Sequence, residues 1–229
     1  MKRSFAAAAL ALCVLGSGCK SPKYALYTSP SRDFQCDVPW AWNVVYDSEE
    51  THFTHVNFIG PFEPDFYLGA PSYSVRWYTH YATHKLRDGR LEMYTGPGDF
   101  ISQTLDAVYG KERSMVEPVR EAEVFGRRWK RFAVVSAGPA DPKARWGTAT
   151  DAAGNLINPR QHAYAILPLR SGFYVLTYPA TTAAYKTDRL KVYRENFEQL
   201  VNSFVPFKDG PGGAPLPPPQ KSKGPGKKV

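Results

Sequence analysis

Gly172-Phe173-Tyr174-Val175-Leu176-Thr177-Tyr178 constrains the fold of this chain more than any other stretch. A strand that is apolar without alternation needs cover on both faces, because neither row of side chains tolerates water. Ala163 to Leu169 precedes it across a turn at Ser171-Gly172, and the two runs predict a hairpin. A helix then has to supply part of the cover. Leu190, Tyr193, Phe197, Leu200, Val201 and Phe204 recur at helical spacing and stop before Pro206, which marks an amphipathic helix integral to the core.

The rest of the chain reads in the same two periods. Val116 to Val124 and Arg128 to Ser136 form a hairpin turned near Phe125-Gly126. From Ser72, Tyr73, Val75, Trp77 and Tyr81 alternate with Ser74, Arg76, Tyr78 and His80. Asp33 to Val38, Trp42 to Tyr46 and Thr51 to Ile59 are expected as earlier strands. Ile101, Leu105, Val108 and Tyr109 predict a helix with Asp99 as its N-cap and Gly110 at its end. Strands joined as hairpins, with one helix mid-chain and one at the end, define an α+β domain. Helices on both sides of a mostly antiparallel central sheet make a three-layer α/β/α sandwich.

The ends of the chain give its address. Met1-Lys2-Arg3, an apolar run from Phe5 to Leu15 and Gly16-Ser17-Gly18 form a secretory leader, residues 1–18. That run is shorter than the roughly 20 residues a membrane span needs. Cys19 after three small residues resembles the lipobox of bacterial lipoproteins, and the resemblance implies a lipid on Cys19. Leu15 stands one position earlier than the Leu of that pattern, and an ordinary cleaved leader is the alternative. Residues 19–32 are then a lipidated tether and 33–207 the domain. Residues 208–229, with Pro217-Pro218-Pro219 and five lysines, are a basic tail expected to be disordered. The charge of +8 belongs to these ends: without Lys2 and Arg3, and without the net +4 of 208–229, residues 19–207 carry +2. A nearly balanced, exported domain argues against nucleic acid as a partner.

Beyond the leader only Cys19 and Cys36 remain. With Cys19 acylated, Cys36 is an unpaired core residue; without acylation an exported chain permits a Cys19–Cys36 disulfide. Lys20 follows Cys19 where Asp marks inner-membrane retention in some bacteria, so the outer membrane, facing periplasm or surface, is the expected site.

The opening Phe34-Gln35-Cys36-Asp37-Val38-Pro39-Trp40-Ala41-Trp42, the Gly126 hairpin, the Gly172–Tyr178 strand and the closing Tyr193–Phe204 helix resemble the PsbP-like family, named after an extrinsic photosystem II subunit. The resemblance covers about 33–207. It implies an antiparallel sheet between helices and a non-catalytic assembly or interaction role, without a cofactor.

No nucleophile elbow, Walker loop, dinucleotide fingerprint or His-Glu-x-x-His helix is present. No metal site is expected: His52 and His55 point to opposite faces of one strand. A composite of His52, His80 and His84 would make the chain a metal-assisted hydrolase, the competing class; a carrier for a small apolar ligand is a third. Arg127, Arg128, Lys130 and Arg131 divide between the faces of one strand and read as the defence of a sheet edge. The better lead is aromatic. Phe62, Phe66 and Tyr67 in the Pro- and Gly-broken stretch 60–71, and Trp146 in the long loop 137–160, are candidate binding residues for an envelope protein partner. The membrane through Cys19, and anionic envelope polymers or headgroups through the tail, are the other expected partners.

Overall fold

A computed structural model describes residues 22–47, 55–66, 69–106 without 86–90, 113–136 and 160–217. Its main body is a seven-stranded antiparallel sheet in the order β3 (Asn43–Asp47), β4 (His55–Ile59), β5 (Ser72–Thr79), β11 (Gly172–Thr181), β10 (Arg160–Pro168), β9 (Arg127–Ser136) and β8 (Arg113–Val124). The run that demands two-sided cover, β11, accordingly lies at the centre, between β5 and β10.

Alternation along β11 sorts its side chains into two cores. Tyr174, Leu176, Tyr178 and Ala180 enter one cluster, with Phe34, Tyr73, Trp77, Trp129, Phe197 and Phe204. Phe173 and Val175 enter the other, with Tyr78, Tyr94, Phe100, Ile101, Phe132 and Ile166. The first cluster is covered by α3 (Lys191–Ser203) and by a second, three-stranded sheet of β1 (Tyr24–Thr28), β2 (Phe34–Pro39) and β12 (Val205–Pro206). The second is covered around α1 (Pro97–Thr104). A short hairpin of β6 (Thr83–Lys85) and β7 (Leu91–Met93) precedes α1, and α2 (Thr182–Lys186) with one turn of 3₁₀ helix (Asp188–Leu190) leads into α3. The α+β class is as expected.

Four expectations are corrected. The stretch assigned to a tether contains β1, whose Tyr27 packs on Phe34 and Phe58. The tail is ordered to Pro217: Phe207 N donates to Asp33 O at 2.7 Å, Lys208 pairs with the buried Asp33 at 3.2 Å, and Lys208 bridges to Pro215. Gly210 completes this strap, because φ is +84° and a Cβ would lie 2.2 Å from Trp77. Helix α1 begins before Asp99: Pro97 sits in its first turn, and the Asp99 carboxylate accepts from Thr95 N at 2.9 Å and from Gln103 at 2.8 Å. Those bonds, the Thr95 amide first, hold its carboxyl below the ordinary range. Finally, β9 is no edge: β8 lies outside it, Arg131 pairs with Glu198 of α3 and Lys130 with Glu121.

The Phe125-Gly126 turn is where the sequence placed it, with φ of 51° and 71° in the two-residue form that matches strand twist.

Candidate functional site: the tether end of the domain

The sheet has two unlike ends. At one end lie the β4–β5 connection (60–71), the 39–42 turn and the start of α3; at the other lie the β10–β11 turn, the β8–β9 turn and the strap. The chain enters at the first. Lys23 O accepts from Trp40 N at 3.1 Å, and Tyr24 pairs with Pro39, so the described chain begins beside Trp40. The described chain leaves at the second, where Ser171 binds Asp209 and Arg127 donates to Pro217 O at 3.4 Å. Strand β11, ten residues long, separates the two by about 33 Å.

At the tether end the 39–42 turn is closed by Trp42 N donating to Pro39 O, with Ala41 at φ 62°. Trp42 turns inward, stacked on Tyr73 with centroids 4.7 Å apart, and leaves no room for a Cβ on Gly60. Trp40 turns outward and is 52% exposed. The 60–71 loop packs against this turn and is clamped from behind. Arg189 grips Glu63 with two hydrogen bonds of 2.5 and 3.0 Å and reaches Asp65 at 3.0 Å; Thr181 Oγ1 donates to Asp65 O at 2.6 Å. The bond from Arg189 holds the Glu63 carboxyl below its ordinary range although burial opposes it.

The aromatic candidates therefore separate. Phe66 is 3% exposed, packed on Tyr193 and Tyr178, and is a core residue; its candidacy as a binding residue is withdrawn. Phe62 is 81% exposed on the clamped loop. Tyr67 and Trp146 lie outside the described residues, as do Cys19 and His52. His80 lies near Phe173 and His84 near Tyr78, both facing the second core at the strap end. Among the described residues no three His, Cys, Asp or Glu side chains come together to hold a metal. Cys36 is a free cysteine, fully buried on β2, and burial pushes its thiol up. Among the described residues no helix is long and apolar enough to cross a membrane.

Three features escaped the sequence reading. Trp40 and Trp42 stand alike in the opening motif, and only the fold turns Trp42 inward and leaves Trp40 on the surface. Arg76, in the more polar row of β5, lies beside Tyr78 Oη at 3.5 Å; burial opposes its charge, and Tyr78 and Glu92 more than offset it. Both border strands of the main sheet expose apolar side chains: Val44, Val45 and Tyr46 on β3, and Met115, Val116 and Val119 among the charges of β8.

No family model matches this sequence, and no curated protein does. Among solved structures the chain is similar to a cyanobacterial PsbP from Synechocystis, at 15% identity and a TM-score of 0.46, over 84% of this chain and 99% of that one. It is also similar to a protein from Bacteroides thetaiotaomicron (10% identity, TM-score 0.44, 82% of this chain and 50% of that one). A third is a protein of unknown function from Pseudomonas aeruginosa (12% identity, TM-score 0.40, 81% of this chain and 98% of that one). The first of the three is a PsbP, the family whose motifs the sequence resembles.

Proposed function

We propose that this protein is a membrane-anchored lipoprotein of the bacterial envelope, held through Cys19 and presenting a three-layer α/β/α domain as a non-catalytic interaction module. The leader is removed before Cys19, and the outer membrane is its proposed site. The observation that carries the interaction role is the open β3 border of the main sheet. Strands β3 and β8 each pair on one side only among the described residues. An unpaired strand edge is a template for another chain, and proteins that do not use it blunt it with cations, proline or a bulge. Strand β8 is blunted that way, by Pro118, Arg120 and its irregular register. Strand β3 is short but carries Val44-Val45-Tyr46, open and without a cation. A partner strand added to β3 would gain main-chain hydrogen bonds, with alternate side chains giving specificity.

The test is in-cell crosslinking of the anchored protein. One dominant protein partner is expected, retained when residues 218–229 are removed and lost when Val45 becomes Lys. The truncation has to begin after Pro217, because the strap before it belongs to the fold. Recovery of anionic envelope material alone, and only with the tail present, would contradict the reading.

A further inference from the structure

We propose that the tether end is a bilayer-docking surface, with Trp40 and Phe62 seated at the boundary between headgroups and acyl chains of the membrane that holds Cys19. This rests on the anchoring proposed above. Three residues, Lys20, Ser21 and Pro22, separate Cys19 from Lys23, and the four chain steps reach at most about 14 Å. Lys23 O is bonded directly to Trp40 N, so an acylated Cys19 keeps the 39–42 turn within reach of the headgroups. Tryptophan prefers that depth, where its ring is buried and its indole N–H stays hydrated.

Phe62 stands at the same end of the sheet, on the neighbouring loop, and that loop is fastened. Glu63 and Asp65 are held by Arg189, Phe66 is sunk in the core, and Gly69 N donates to Phe66 O at 2.7 Å. Phe62 is 81% exposed on this fastened loop, so its ring stays in solvent unless another surface covers it. Lys20 and Lys23 flank the anchor and suit an anionic headgroup layer. Exposure alone does not choose the end, since Tyr81 and Phe125 are exposed aromatics at the strap end. The tether chooses it. Docking here also turns the exit of the basic tail at Pro217 away from the anchoring bilayer, so the tail meets anionic polymer on the far side rather than its own membrane's headgroups.

The experiment places single spin labels on the acylated full-length mature protein, reconstituted in vesicles of phosphatidylethanolamine and phosphatidylglycerol. Labels are introduced by Trp40→Cys, Phe62→Cys and Phe125→Cys; Cys36 is fully buried, and the parent chain controls for its labelling. Collisions with oxygen and with a water-soluble nickel complex report depth. The expected result is oxygen-rich, nickel-shielded labels at 40 and 62 and a nickel-exposed label at 125. Nickel exposure at 40 and 62, or shielding at 125 instead, overturns the docking surface. Intact mass of the same samples separates the two claims. An acylated chain with aqueous labels at 40 and 62 sinks the docking alone, whereas a native chain that is never acylated sinks the anchoring and the docking with it.

Discussion

Asp33 shows how much one residue can hold. It is fully buried, its amide donates to Ser29 Oγ at 2.8 Å, and its carboxylate receives Ser31 and Lys208. A buried carboxylate that loses its partners costs more than the partners' own bonds contribute. Lys208→Met is therefore expected to destabilise the domain by about 1–3 kcal/mol in urea unfolding, while Lys208→Arg retains most of that. Glu63 gives a pH signature. Its carboxyl is depressed in the folded chain, chiefly by the Arg189 hydrogen bond, so folded Glu63 releases its proton more readily than unfolded Glu63. The stabilisation is present above the unfolded value, about 4.3, and disappears as pH falls through the folded one. Unfolding midpoints of the wild type and Glu63→Gln should differ most above pH 5 and converge on acidification; a constant gap down to low pH would contradict this role.

Among the elements, α3 carries the largest packed stripe. Phe197 is fully buried and meets Tyr73 and Tyr178 with centroids 5.7 and 5.8 Å apart, and Phe197→Ala should cost about 3–5 kcal/mol. The strap is the element whose role is most open to test. Chains ending at Pro217 should unfold at the wild-type midpoint, and chains ending at Phe207 at a clearly lower denaturant concentration, because only the latter strip Lys208 from Asp33 and Gly210 from Trp77. Helix α3, the two late hairpins and the alternating β5 could be read in advance because each declares itself through local periodicity. Strand β1 and the strap could not. Tyr24–Thr28 becomes a strand by pairing with β2, and a Pro- and Gly-rich run such as 208–217 has the composition of a linker until Asp33, Ser171 and Trp77 receive Lys208, Asp209 and Gly210. The same limit applies to the site: Phe62 and Phe66 are equivalent in an irregular stretch, and only the packing of Phe66 on Tyr178 and Tyr193 separates them.

For the whole molecule the polarity of the ends matters more than any single surface. Entry beside Trp40 and exit beside Arg127 set the two ends of the described chain about 33 Å apart across the length of β11. A lipid at Cys19 turns that polarity into a direction: membrane at the tether end, apolar β3 along the side, and basic tail facing outward. Everything in this arrangement depends on the acylation of Cys19. The measurement that tests it is the intact mass of the protein extracted from native membranes, compared with Cys19→Ser. A chain beginning at Cys19 and carrying diacylglyceryl and acyl groups, with the Ser variant released by washing, is the predicted result. A native chain with an unmodified amino terminus, or one still beginning within 1–18, would contradict the account.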